Sequence, residues 1–94
     1  MITSNWNQAS RSPFFDAAAF PTYDRLLHRY LTRRLRLPQD VEDIAHDIYI
    51  RLLQYQPAAV SYPLAYLYGV ASHVLADYRA HAAREGAALL VDSE

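Results

Sequence analysis

The side chains best suited to chemistry in this sequence are two acid and histidine pairs at helical spacing. Asp43 precedes His46 by three residues, and His73 precedes Asp77 by four. A carboxylate and an imidazole so spaced share one helical face, as the ligands of di-metal helical bundles do. A di-metal site also needs further inward-facing carboxylates, which the sequence does not supply. We therefore predict neither a metal site nor a cofactor.

Other kinds of catalysis have equally little support in the sequence. No arrangement of serine, histidine and acid suggests a nucleophile, and the two glycines form no phosphate-binding loop. The chain has no cysteine, which excludes disulfides and thiolate metal sites. We predict that the protein is not an enzyme.

An amphipathic acidic segment, residues 40–53, is the most informative part of the sequence. Its apolar residues recur at the spacing of one buried helical face, namely Val41, Ile44, Ala45, Ile48 and Leu52. Asp40, with a carboxylate three residues later, is typical of a capping-box start. The outer face is then predicted to be a mostly anionic surface of Glu42, Asp43, His46, Asp47 and Arg51.

The composition favours a single small helical domain. The chain has 94 residues, 52% of them hydrophobic, and a formal net charge of −1. That charge argues against a domain that binds duplex DNA mainly through a large positive field. The charges are unevenly distributed along the chain. Residues 23–37 hold five arginines and one aspartate, whereas residues 40–53 hold four acids and one arginine. The start resembles no signal peptide, and no segment is long enough to span a membrane, so we expect a cytoplasmic protein.

Apolar periodicity and proline positions predict three helices, over residues 22–36, 40–54 and 63–84. Thr22 is the expected cap of the first helix, and Gly86 the expected end of the third. The fold class is therefore all-α, a compact three-helix bundle, or a four-helix bundle if residues 14–20 form a short helix. Residues 1–19 are expected to be a loose segment, 20–85 the helical domain and 86–94 the start of a linker or a disordered tail.

Three blocks of this sequence, in order, resemble region 2 of the extracytoplasmic-function sigma factors. They are Tyr-Leu-Thr-Arg-Arg-Leu at 30–35, Asp-Val-Glu-Asp-Ile-Ala-His-Asp-Ile-Tyr-Ile-Arg at 40–51, and the run from Pro-Leu-Ala-Tyr-Leu-Tyr to Asp at 63–77. The nearest resemblance is to the iron-starvation group, which regulates siderophore uptake. It covers about residues 20–84. No counterpart of region 4, the helix-turn-helix domain that reads the −35 element, is found in the chain.

The resemblance implies that the second helix docks on the clamp helices of the largest catalytic subunit of core RNA polymerase. That partner surface is rich in arginine, so it requires an anionic stripe. The positions that match the family's docking motif are Asp40, Glu42, Asp43, His46, Asp47 and Arg51. The alternative reading of this stripe is an ordinary solvated face with cap charges.

The resemblance also implies contact with the opened strand of the promoter −10 element, with one base held between the loop and the third helix. Aromatic platforms and a few cations suit that task. The expected contacts are Tyr55, Tyr62, Tyr66, His73, Arg79 and Arg84. For Tyr66, core packing is an equally good interpretation.

The sequence departs from the family's pattern in the third helix. Gly69 and Ser72 stand where the family often has arginine, His73 where it has asparagine, and Ala80 where arginine is expected. The promoter sequence cannot be inferred from these residues.

Two functions from different classes remain open at this stage. The first is a sigma domain that binds core polymerase and the −10 strand. The second is a helical interaction module that binds a protein partner, of polymerase or anti-sigma type, without recognising DNA. By the same family analogy, the cytoplasmic domain of an anti-sigma factor is an expected partner. Salt-sensitive binding to single-stranded −10 DNA is expected of the first function only.

Overall fold

Each of the three helices begins with a proline in its first turn. The computed structural model describes residues 13–55 and 60–92, the last six of these by their backbone only. Helix α1 spans Phe20–Thr32, α2 spans Pro38–Gln54 and α3 spans Pro63–Asp92. Proline is well suited to a first turn, where its missing N–H would have had no partner within the helix. The predicted all-α, three-helix arrangement is confirmed.

The core lies where the three helices meet, and α2 supplies its largest share. The five residues that periodicity assigned to the buried face of α2 are all buried. From α1 come Leu27 and Leu31, and from α3 come Leu67, Ala71, Val74 and Leu75. Because α2 packs against both other helices, its apolar face is enclosed and only its outer side remains available to a partner.

Residues 13–19 form turns rather than the short helix that was offered as an alternative. Their aromatic side chains nevertheless pack on the bundle, as that alternative expected. Phe14 is 3% exposed, and its ring meets those of Tyr23 at 5.3 Å and Tyr66 at 5.9 Å. The bundle thus has three helices within the described residues. The expectation for residues 1–12 lies outside the part that the structure describes.

Two predicted helix starts are wrong by two residues. The residue that caps α1 is Ala19, not Thr22, and the one that caps α2 is Leu37, so Asp40 lies inside the first turn. Neither cap makes a side-chain hydrogen bond. Both helices start earlier because the prolines, Pro21 and Pro38, enter the first turn instead of standing before it.

The predicted end of α2 at Gln54 is confirmed, whereas those of α1 and α3 are wrong. Helix α1 ends at Thr32 rather than residue 36, with turn hydrogen bonds that include Leu35 N–H to the Leu31 carbonyl at 2.9 Å. Helix α3 runs past Gly86 to Asp92. Glycine within a helix costs only about 1 kcal/mol relative to alanine, and the alanines and leucines around it favour helix. None of the described helices is both long and apolar enough to cross a membrane.

Candidate functional site

Four of the predicted docking residues lie together on the outer side of α2, and we call them the acidic face. They are Glu42, Asp43, His46 and Asp47, and all are exposed. Their position follows directly from the burial of the opposite side of the helix. Within the described residues Asp43, His46 and Asp47 have no ion-pair or hydrogen-bond partner. The face therefore presents carboxylates that are free to pair with cations of another molecule.

Sequence reasoning missed two apolar side chains on this side of α2. Ile50 is 38% exposed and Leu53 is 47% exposed. Ile50 follows His46 by four residues and Asp47 by three, so these side chains are neighbours on the helix surface. The sequence pattern could have predicted their exposure, because neither residue belongs to the buried apolar stripe. The acidic face is consequently bordered by apolar surface.

The other two predicted docking residues, Asp40 and Arg51, lie at the border between α2 and α3. The Tyr78 hydroxyl donates to Asp40 Oδ2 at 3.1 Å, and Arg51 Nη2 donates to Asp77 Oδ2 at 3.1 Å. The hydrogen bond to Asp40, with that carboxylate's charge, raises the pKa of Tyr78. Asp40 and Arg51 thus connect α2 to α3. Their match to the family's docking motif did not predict this role.

A second set of polar contacts ties α2 to α1. The Tyr49 hydroxyl donates to Asp24 Oδ1. His28 lies between two carboxylates, with Nδ1 3.2 Å from Asp24 Oδ1 and Nε2 3.4 Å from Glu42 Oε2. Partial burial raises the pKa of Tyr49, and the bond to Asp24 raises it further. Glu42, one end of the acidic face, is therefore linked to α1 through His28.

Partial burial alone would lower the pKa of His28, yet its neighbours reverse the direction. The Asp24 carbonyl accepts a hydrogen bond from Nδ1 at 2.9 Å, and the Asp24 and Glu42 carboxylates attract the charged ring. Together they raise the pKa of His28 above 6.5. Folding thus stabilises the protonated ring relative to its state in the unfolded chain.

A surface groove lies between the end of α2 and the start of α3. It has a volume of ≈ 180 Å³ and is lined by Arg51, Tyr55, Tyr66, Val70 and His73. The Tyr66 hydroxyl donates to the Tyr55 carbonyl at 3.2 Å and so holds the beginning of the loop against α3. The groove offers aromatic surface, a guanidinium and an imidazole, which together suit a flat unstacked ring with polar edges.

The structure brings together three of the six residues predicted to contact DNA, namely Tyr55, Tyr66 and His73. Tyr62 is 78% exposed and does not line the groove. Arg79 donates to the Arg34 carbonyl at 3.2 Å. Arg84 is exposed farther along α3. Val70 and Arg51 were not predicted to belong with these aromatic residues.

The acid and histidine pairs considered for metal binding do not converge. His73 lines the groove, whereas Asp77 is paired with Arg51. Among the described residues no group of three or more histidine and acid side chains is placed to hold a metal ion.

The family described as Sigma-70 region 2 matches residues 20–85, which include all of α1, all of α2 and most of α3. The acidic face and the groove both lie within the matched residues. Comparisons with curated proteins and with solved structures found no match.

The His28 contacts predict that part of the chain's stability depends on pH. A histidine pKa that is raised in the folded state contributes stability fully below the unfolded value, about 6.5. That contribution is lost as the pH rises through the folded pKa. The free energy of unfolding of the parent should therefore exceed that of His28→Gln by more at about pH 5.5 than at about pH 8.5.

Urea denaturation of the two chains at both pH values measures this difference. His81→Gln is the control, because among the described residues His81 pairs with Glu85 on its own helix and with no other helix. An equal difference between parent and His28→Gln at both pH values would contradict the prediction.

Proposed function

Since this chain belongs to the Sigma-70 region 2 family, which binds core RNA polymerase and the promoter −10 element in transcription initiation, we propose which of its surfaces performs each task. The family is not enzymatic, in agreement with the sequence prediction. We assign polymerase binding to the acidic face of α2 and −10 binding to the groove between α2 and α3. We propose that the chain carries out this role in the cytoplasm.

The free carboxylates of the acidic face support its assignment to polymerase binding. Asp43 and Asp47 are exposed and unpaired within the described residues, so binding need not first break an internal ion pair. Ile50 and Leu53 supply the apolar surface that protein interfaces combine with polar surroundings. The proposed partner is the arginine-rich clamp helices of the largest catalytic subunit. Asp40, Glu42, His46 and Arg51 complete the proposed surface.

Arg51 has a more restricted place in this proposal than the carboxylates do. Its guanidinium bonds Asp77 and also lines the groove. We therefore place it at the boundary of the two surfaces, where it maintains the position of α3 relative to the acidic face.

The side chains of the groove support its assignment to −10 binding. Tyr55 is 68% exposed, and its ring is available as a stacking platform for an unstacked base. Arg51 and His73 supply polar groups for the edge of that base or for its phosphate. Tyr62, Arg79 and Arg84 lie outside the groove lining, and we propose that they contact the strand on either side of the held base.

The finer classification rests on the three sequence blocks. We propose that the chain belongs to the extracytoplasmic-function group and, within it, to the iron-starvation type. Transcripts initiated by polymerase carrying this chain should then be enriched in genes for siderophore uptake. An initiation profile with no such enrichment would contradict the iron-starvation assignment.

Charge reversal at the centre of the acidic face should abolish most polymerase binding. Asp43→Arg places a cation against the arginine-rich clamp helices, and we expect binding to a purified clamp-helix fragment to weaken by about tenfold or more. The parent's affinity should itself fall as salt is raised. Fluorescence anisotropy at low and high salt measures both effects.

Glu85→Arg is the matched control, because it makes the same change of charge at an exposed acid on α3. It should bind like the parent. Equal loss in both variants would show a general electrostatic effect and would contradict the proposed surface.

We also propose that an anti-sigma cytoplasmic domain covers the acidic face. Such a domain should displace the clamp-helix fragment in the same titration, whereas simultaneous binding of both would exclude that arrangement.

Removal of the Tyr55 ring should weaken binding of the opened strand. Base stacking on an aromatic side chain is worth about 1–3 kcal/mol, so Tyr55→Ala should cost roughly 5- to 150-fold in affinity. The measurement uses the chain bound to core polymerase and single strands with randomised −10 sequence. The bond from Tyr66 reaches the backbone of Tyr55, so the substitution leaves its acceptor in place.

Tyr55→Phe retains the ring and should bind like the parent. Both variants must bind core polymerase equally, since the ring lies outside the acidic face. Unchanged strand binding by Tyr55→Ala would remove Tyr55 from the site.

A further inference from the structure

The outer side of α1 carries three arginines at intervals of four residues, which we call the arginine stripe. Arg25 and Arg29 lie in the helix, and Arg33 is the residue that caps its C-terminal end, still with helical backbone angles. All three are exposed. A four-residue interval brings side chains onto one face of a helix. The stripe therefore forms a single cationic surface, opposite the buried Leu27 and Leu31.

The stripe differs from several other arginines in having no partner. The Arg34 guanidinium lies 3.7 Å from the centre of the Tyr30 ring and donates to the Tyr30 carbonyl. Arg51 bonds Asp77, and Arg79 bonds the Arg34 carbonyl. Within the described residues no arginine of the stripe makes an ion pair or a side-chain hydrogen bond. Like charges four residues apart also destabilise a helix slightly. An anionic partner would relieve that repulsion.

The lack of exposed large apolar side chains on the described residues of α1 itself indicates the class of partner. Among the described residues, no exposed large apolar side chain belongs to α1. Protein interfaces usually have an apolar or aromatic centre, as Ile50 and Leu53 provide beside the acidic face. Phosphate groups, by contrast, are bound by arginine, lysine and other polar side chains and by backbone N–H donors. The stripe fits a phosphate backbone better than it fits an acidic protein.

We propose that the arginine stripe of α1 binds the phosphate backbone of duplex DNA, independently of base sequence. Three guanidiniums spread over about 12 Å of helix length, since eight residues rise about 1.5 Å each. A duplex presents one charge per about 1.7 Å of its axis, so several phosphates lie within that reach. The contact adds a second DNA surface to the groove, which takes an opened base. It does not depend on the assignment of the groove.

The test compares the full chain with a triple variant, Arg25→Gln, Arg29→Gln and Arg33→Gln. Glutamine forms helix nearly as well as arginine, so α1 should be retained, and circular dichroism checks this. A second triple variant with lysine at the same positions keeps the charge. Each chain is titrated at several low salt concentrations into a fluorescent duplex of arbitrary sequence, a single-stranded −10 oligonucleotide and a polyglutamate peptide.

The parent and the lysine variant should bind the duplex, with affinity that falls as salt rises. The glutamine variant should lose most of that binding, and its salt slope should be smaller by about two to three, since each phosphate contact contributes about 0.9. Single-strand binding reports on the groove and should change less. Equal duplex binding by parent and glutamine variant would overturn the proposal. So would preference of the parent for polyglutamate over the duplex, or no duplex binding at the lowest salt.

Discussion

The burial of one face of α2 is the constraint on which the rest of the molecule depends. The five residues of that face are at most 6% exposed, namely Val41, Ile44, Ala45, Ile48 and Leu52. The helix packs against both α1 and α3. Full burial of one such side chain stabilises the fold by about 1.5–3 kcal/mol, so a rotation of α2 that exposed them would be strongly disfavoured. Because successive residues of a helix turn by a fixed angle, burial of the apolar face determines the direction of the acidic face. Packing in the core therefore decides where the carboxylates point.

Polar contacts then fix how α2 sits between its neighbours. Asp40 and Arg51 bond α3 on one side, and Tyr49 bonds α1 on the other. These surface hydrogen bonds contribute far less to stability than the apolar packing does, but each is directional. Together they set the position of α3, and hence the shape of the groove that Arg51 borders. One guanidinium, that of Arg51, thus both bonds α3 and lines the groove.

The sequence predicted what depends on local periodicity and missed what depends on distant pairs. The apolar stripe of α2 and the acidic face opposite it follow from spacing within one helix, and both were predicted correctly. Tyr49 and Asp24 are separated by 25 residues, and Tyr78 and Asp40 by 38, so no local pattern marks their contacts. The starts of α1 and α2 were misplaced because a proline can stand before a helix or within its first turn. Gly86 was predicted to end α3, although glycine disfavours a helix only weakly.

The net charge of −1 includes contributions from two oppositely charged surfaces, the arginine stripe of α1 and the acidic face of α2. A uniformly charged domain could not present both. A strongly basic domain would suit DNA but would repel an arginine-rich protein partner, and a strongly acidic one would do the opposite. Here consecutive segments of opposite charge become neighbouring helices, and core packing turns the charged side of each helix outward. Cations on α1 and carboxylates on α2 then act over short distances, within a Debye length of about 8–10 Å. Near-neutrality is therefore compatible with simultaneous binding of a cationic protein and a polyanion, provided that the two charges remain on separate faces.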